Sequence, residues 1–399
     1  MKKLDERKKL LIYKILLFVF AFAVAFLPAT ASRNLEVNSR VVVEMLGVDG
    51  TDKGIEVTAQ YVMPTETDGA TTKDKVSVEG ETLTEAVELL NTALGRRAEL
   101  GQCSVVVVGS ELDPNVLGTL MTATDVTADV YLTAATDKAK DLVGDMTDFM
   151  KKSGATDADF IAYSAKKAHI ATVTLLNFLS DLDSASGTAF IPVVEMLESG
   201  SDEQSGQESE GSSKDGGGGS GSASGGGGAC GGGEQSGMKV EKLALYVKDG
   251  RAAVLEAESA RGVAWVSAPI EKGIVTADVT YRGDTVEAVS ARLLKKCAEI
   301  SADAKNDRAT VRLKATLEPN GDKFNLLDAK GKDASNAIKS AFVDKIRGEI
   351  EQAFSDARAV KTDPLFIGRT FYRYSPDYFS SDYSLEKIKV DFDVTIELK

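Results

Sequence analysis

Histidine is almost missing: the chain has one, His169, among 399 residues. Imidazole is the commonest metal ligand and the only side chain that ordinarily titrates near neutrality. Its scarcity removes His-rich metal centres and leaves little material for His-based acid–base chemistry. Cysteine is nearly as scarce. Cys103, Cys230 and Cys297 are too few and too far apart for a disulfide-built domain. Basic charge is in deficit, with 47 Lys+Arg against 61 Asp+Glu and a net charge of −14. A nucleic-acid binder needs a basic face to neutralise phosphates, and an anionic membrane surface attracts the same sign, so both readings are disfavoured. The chain also lacks a G-x-x-x-x-G-K-[ST] phosphate cradle.

What is present can bury a core: 43% of the residues are apolar. The length allows two or three domains. The N-terminus is the exception to the acidic balance. Lys2, Lys3, Arg7, Lys8, Lys9 and Lys14 outweigh Asp5 and Glu6, giving a local charge of +4. An unbroken apolar run follows from Ile15 to Leu27, then Pro28 and the small-residue pattern Ala29-Thr30-Ala31. Basic, apolar and small, in that order, is the layout of a secretory signal peptide. A spanning helix needs about 20 apolar residues, and Lys14 interrupts any longer run. Lys14 can snorkel, however, so an uncleaved anchor over Leu10–Leu27 is the alternative. No cysteine lies near the cleavage pattern to carry a lipid.

Residues 199–237 hold 16 Gly and 10 Ser in 39 positions. Such a composition cannot bury a core and reads as a flexible tether rather than a phosphate loop. Cys230 lies within it and is expected to be the exposed, reactive thiol. Cys103, beside Val105–Val108, is expected to be a buried small hydrophobe, and Cys297 is read the same way.

Before the tether, strands are expected at Arg40–Val48, Gly54–Met63, Cys103–Val108 and Ala128–Ala134. Thr82 and Glu85 form a capping box opening a helix to about Leu94. Asp113 with Pro114 starts another helix, and Thr136 is expected to cap a third over Asp137–Val143. Residues 157–182 read as helical, with Leu175, Leu176 and Leu179 inward. Pro192 makes Ala189–Met196 extended rather than helical. After the tether, Leu243–Val247 and Ala252–Ala257 read as a hairpin, and Ile274–Tyr281 and Ala309–Leu317 as strands. Val286, Val289, Leu293, Cys297 and Ile300 recur near helical spacing. The clearest helix is 334–358, with Ile338, Phe342, Ile346, Ile350 and Phe354 on one stripe. Strict alternation from Ile388 to Leu398 predicts a half-buried strand, in the manner of an antiparallel sheet. The fold class expected is α+β, multi-domain, with mixed or antiparallel sheets and packed helices. The segments expected are 1–31 as signal peptide or anchor, 34–198 as an N-terminal region, 199–237 as linker and 238–399 as a C-terminal domain.

The order of several short motifs resembles the Ger(x)C family, the C subunits of spore germinant receptors. They are Met45-Leu46-Gly47-Val48-Asp49, Gly80-Glu81-Thr82-Leu83-Thr84-Glu85-Ala86, Arg96-Arg97 and Val107-Val108-Gly109-Ser110-Glu111-Leu112. Tyr131-Leu132-Thr133-Ala134 and Lys138-Ala139-Lys140-Asp141-Leu142 continue the series. Beyond the tether come Leu243-Ala244-Leu245-Tyr246, Glu258-Ser259-Ala260-Arg261-Gly262 and Asp363-Pro364-Leu365-Phe366-Ile367-Gly368. The resemblance implies an extracytoplasmic α+β protein that acts with two membrane-embedded partners, the A and B type receptor subunits, at the spore inner membrane. It implies no enzyme activity and no cofactor. It also implies that 286–300 is extended, against the periodicity. Family members usually carry a lipobox cysteine where this chain has Ala29-Thr30-Ala31.

No catalytic, cofactor-binding or metal-ligating residue is assigned. Phe366, Phe371, Tyr372, Tyr374, Tyr378, Phe379, Tyr383 and Phe392 are eight of the chain's 26 aromatic residues. They read first as core packing between the last helix and the sheet, and second as a partner-facing surface. Trp265 reads as a partly buried core residue rather than a stacking platform, and His169 as a solvated surface residue. Asp49, Gly50 and Asp52 form a turn; the EF-hand spacing for calcium is missing. Two other functions remain at this level: a secreted or anchored ligand-binding module unrelated to sporulation, and an extracytoplasmic hydrolase, which lacks a nucleophile–His–acid set.

Overall fold

A computed structural model describes residues 13–22, 40–64, 71–153, 156–168, 170–197, 237–268, 273–320 and 332–399. The expected cleavage site at Ala29–Ala31, His169, Cys230 and all of the expected tether but Gly237 lie outside them. Residues 13–22 are helical (α1) and expose their apolar side chains, Phe18 by 71% and Phe20 by 70%. Among the described residues no helix is long and apolar enough to cross a membrane.

Two mixed sheets and their helices form an α+β fold. The strands of the first are β1 (Arg40–Thr51), β2 (Gly54–Pro64), β3 (Thr71–Gly80), β4 (Arg97–Glu99) and β5 (Val105–Val108). β6 (Tyr131–Ala135), β7 (Val173–Thr174), β8 (Ala189–Leu197), β9 (Gly237–Val247) and β10 (Gly250–Leu255) complete it. The main path runs β10-β9-β8-β6-β5-β1-β2-β3. Its centre is parallel, β1 with β5, β5 with β6 and β6 with β8, and its wings are antiparallel hairpins. A central parallel strand is covered on both faces, which is why β5 is four consecutive valines, all buried. The hairpin expected after the Gly/Ser segment forms as β9 and β10, and it extends this first sheet by pairing with β8. The second sheet takes β11 (Gly273–Tyr281), β12 (Asp284–Asp303), β13 (Arg308–Asn320) and β14 (Lys389–Leu398) in that order.

The first sheet is packed by α2 (Leu83–Leu94), α3 (Leu117–Ala123), α4 (Ala139–Ser153), α5 (Asp157–Ala168) and α6 (Leu175–Leu182). α7 (Ala257–Ser267) leads to the second sheet, whose inner face is covered by α8 (Lys332–Ala359). Two short helices follow, α9 (Ile367–Tyr374) and α10 (Pro376–Ser381).

The Thr82 capping box forms: the Glu85 N–H donates to Thr82 Oγ1 at 3.2 Å, and the Glu85 carboxylate reaches back to the Glu81 N–H at 2.9 Å. Four expectations need correction. Thr136 does not cap the helix after β6. The Asp49 carboxylate does, accepting the Ala139 N–H at 2.7 Å and the Lys140 N–H at 2.9 Å. A long-range cap of this kind leaves no local sequence signature, and the helix also runs on to Ser153. Residues 157–182 are not one helix. α5 ends at Ala168, and β7 intervenes before Thr174 caps α6, leaving Leu176 51% exposed while Leu175 is buried. The last strand lies parallel to its neighbour β13, because α8 carries the chain back across the sheet before β14 begins. Cys297 is exposed, and no bridge joins it to the buried Cys103.

The 286–300 segment is extended, as the family resemblance implied. β12 carries one extra residue opposite β11, near Val286–Val289, and another opposite β13, near Leu293–Lys295. Each bulge shifts the in-and-out alternation by one. The two shifts bring Val286, Val289, Leu293 and Ile300 to one side at intervals of three, four and seven, which imitated a helix, while Cys297 faces the other way.

Candidate functional site at the seam between the sheets

Five of the buried polar residues, Thr188, Ser259, Glu349, Thr362 and Asp363, lie near where the two halves meet. α7 supplies one side. Its sequence A-E-S-A-R-G-V-A-W-V-S places small residues on the faces that meet other elements: Ser259, Ala260, Gly262 and Ala264 are all buried. α7 packs on β9 of the first sheet and on α8, β12 and β13 of the second half. Gly262 sets the approach to α8. A Cβ there would fall 2.0 Å from the main-chain oxygen of Glu349.

Glu349 is 2% exposed and sits on the apolar stripe of α8. Its carboxylate accepts the Trp265 indole N–H at 2.8 Å and the Arg261 Nε–H at 2.8 Å. Lys345 Nζ lies 3.5 Å away and also pairs with Glu258 at 2.9 Å. A buried carboxylate is tolerated only when its lone pairs are occupied and its charge is matched, and both conditions hold here. Trp265 is therefore a fully buried core residue with its polar end satisfied. At the other end of α7, Lys296 from β12 donates to the carbonyls of Ala264 and Trp265. Burial pushes this amine down to about 7. The two carbonyls belong to the negative end of the helix dipole and favour the charged form.

A second tie is built from Asp363, 6% exposed, in the turn that follows α8. The Asp363 carboxylate accepts the N–H groups of Ile367 at 3.0 Å and Gly368 at 2.6 Å, the first turn of α9. It also accepts the Ser186 hydroxyl at 2.8 Å, from the loop before β8 in the first half. The Asp363 N–H donates to Thr188 Oγ1 at 2.9 Å, and Ser267 donates to the carbonyl of Pro364 at 2.6 Å. Phe366 meets Phe190 with ring centroids 6.1 Å apart. Burial pushes the Asp363 carboxyl up to about 6, against the pull of the Gly368 N–H, the Ser186 hydroxyl and the Ile367 N–H. The Asp-Pro-Leu-Phe-Ile-Gly motif is thus a clamp that joins the halves.

The aromatic cluster divides. Phe371 is buried, with Tyr378 at 5.4 Å and Tyr383 at 5.3 Å; Tyr383 stacks on Phe379 at 4.8 Å. Phe392 packs on Phe354 at 5.9 Å. These are core contacts. Tyr372 and Tyr374 project from α9 and are 55% and 65% exposed. Asp49 is buried and spent on its helix cap, while Asp52 stays in the exposed turn between β1 and β2. Burial pushes the Cys103 thiol up to about 12, which makes it inert. Among the described residues no group of three or more His, Cys, Asp or Glu is placed to hold a metal ion.

The sequence motifs located Ser259, Arg261, Gly262 and Asp363 without revealing their roles, and Glu349, Ser186 and Lys296 were missed. A readable signal existed for Glu349: an acidic residue three positions after Ile346 on an otherwise apolar stripe. Chemically, each carboxylate of the seam is occupied by fixed donors. The arrangement positions two bodies against each other.

Residues 33–196 match the family model described as spore germination protein N-terminal domain. Residues 241–399 match the one described as spore germination B3/GerAC like, C-terminal. Among solved structures, one titled crystal structure of the GerBC protein aligns at a TM-score of 0.44 and 12% identity, over 88% of this chain and 96% of that one. No curated protein matches significantly. With both halves matched in order on one polypeptide, the chain belongs to the GerAC, or Ger(x)C, family of spore germination proteins.

Proposed function

We propose that the chain is the non-catalytic, extracytoplasmic C-type subunit of a germinant receptor. It acts in nutrient-triggered germination by docking on the membrane-embedded A and B type subunits at the spore inner membrane. The observation that carries this reading is the pair of family matches, 33–196 and 241–399, in family order on one chain. The seam fits the role. Asp363 ties the second half to Ser186 and Thr188 of the first, and Glu349 holds α8 on α7, the helix that packs on β9 of the first sheet, so a push on either body reaches the other through these contacts. The basic head and apolar stretch of residues 1–27, in the order of a signal peptide or anchor, support export and a body on the outer side of the membrane.

The test is recovery of the tagged chain from dormant spores. Fractionation is expected to place it in the inner-membrane fraction, with membrane-embedded receptor subunits co-isolating after mild detergent. A chain found free in the soluble fraction and bound to no membrane protein would remove this reading.

A further inference from the structure

Among the described residues four strands end the main strand orders of the two sheets, and they are guarded unequally. β3 carries Lys73, Asp74, Lys75 and Glu79. β14 carries Lys389, Asp391, Asp393 and Glu397. β10 is only six residues long. β11 reads G-I-V-T-A-D-V-T-Y, rich in the β-forming Ile, Val, Thr and Tyr, with no proline and a single charge, Asp278. That charge is already used, because its carboxylate accepts the Ala288 N–H at 2.8 Å and fixes the bulge in β12. Natural edges are normally blunted by lysines, prolines or shortness, since an open row of main-chain N–H and C=O groups templates another strand. Among the described residues, the outer main-chain edge over Thr276–Thr280 has no strand beside it.

This edge is also not flat to solvent. A cleft of about 650 Å³ runs beside it. Ala277, Asp278 and Thr280 line one wall; since neighbouring strand residues point to opposite faces, the cleft follows the backbone edge and not one face of the sheet. The other wall is a stripe of α8. Ala337, Ser340, Ala341 and Gly348 on that stripe are small. A groove between an open strand edge and a helix is the geometry in which extended peptides are taken up by strand addition.

The charges choose the occupant. Asp278, Asp344 and Glu258 line the groove, against Lys345 alone. Lys345 is neutralised by Glu258 at 2.9 Å and by the buried Glu349 at 3.5 Å. The net charge of the whole chain, −14, steers in the same direction. We propose that the groove between β11 and α8 binds an extended segment of a partner protein bearing lysine or arginine, which adds to β11 as a fifth strand of the second sheet. Main-chain hydrogen bonds hold the segment, and Asp344, with Asp278 on the facing wall, selects its basic side chains. The inference stands on the groove itself and not on the receptor reading.

The test uses the full chain and fluorescein-labelled six-residue peptides alternating lysine with valine or glutamate with valine. Fluorescence anisotropy is expected to show saturable binding of the lysine peptide, at least about 10-fold tighter than the glutamate peptide. N-methylation of alternate peptide amides removes the ladder donors while keeping the charge. It is expected to weaken binding at least about 10-fold in one of the two registers. Asp344→Lys and Ser340→Trp alter exposed positions only, so folding is checked by an unchanged melting curve, and both are expected to lose the lysine peptide. Equal binding of the two peptides, binding insensitive to N-methylation in both registers, or no saturable binding would overturn the proposal. So would a concentration-dependent dimer abolished by Asp344→Lys, which would give the groove to a second copy of the chain.

Discussion

Replacing Gly262 by alanine adds one methyl group at the tightest point of the seam. The backbone is helical there, so no conformational strain arises from alanine itself. The cost is steric. The new carbon would lie 2.0 Å from the Glu349 oxygen and 2.7 Å from the Ala353 Cβ, so α7 and α8 must separate. Overpacking of this kind costs up to about 3 kcal/mol. Alanine returns about 1 kcal/mol of helix propensity. The net expectation is a loss of about 2 kcal/mol, or roughly 4–8 °C in melting temperature for a cooperative unit of 150–250 residues. Gly348 on α8 supplies the control, since a Cβ there meets nothing within 4 Å. Gly348→Ala is expected to be neutral or to stabilise by about 0.5–1 kcal/mol. Thermal and urea unfolding of both variants beside the parent chain decide the matter. An unchanged midpoint for Gly262→Ala, or the same shift for both variants, would refute the reasoning that close helix contact holds the seam.

Glu349→Ala leaves the Arg261 guanidinium without its buried counterion and the Trp265 N–H without its acceptor. A loss of about 3–5 kcal/mol is expected by urea unfolding, with a change in Trp265 fluorescence, since it is the only tryptophan. Asp49→Ala removes the long-range cap of α4 and is expected to cost about 1–2 kcal/mol, with Asp49→Asn recovering part of it. Burial raises the Asp363 carboxyl from 3.8 to about 6. Between those values the folded chain holds more protons than the unfolded one, so this group's contribution to stability falls as pH rises from about 4 to 6 and is level above. Asp363→Asn is expected to abolish that slope in a series of melts, though Asp157 and Asp181, raised in the same sense, keep theirs. Iodoacetamide on the folded chain is expected to label Cys297 and to spare Cys103, as read by peptide mass spectrometry.

Local chemistry made part of this fold readable. The capping box at Thr82, the valine run of β5, the amphipathic stripe of α8 and the alternation of β14 all depend on neighbours in sequence, and they form as expected. β3 and α7 were overlooked. β3 is an edge strand rich in charge, and α7 is a helix buried on most sides, so neither shows a clean two-sided pattern. Three of the misreadings share one cause, a partner distant in the chain. Asp49 reaches α4 across 90 positions of sequence, bulges fixed by neighbouring strands reset β12, and α8 decides that β14 runs parallel to β13. The seam was illegible for the same reason. In the sequence Asp363 belongs only to a family motif, and its role appears once Ser186, 177 positions away, is placed against it.

The receptor assignment is tested most directly by germination itself. Deletion of the gene is expected to abolish or markedly slow the response of spores to at least one nutrient, with restoration by the intact gene but not by one truncated before residue 241, where the second family region begins. Spores lacking the gene that respond normally to every nutrient would contradict the assignment.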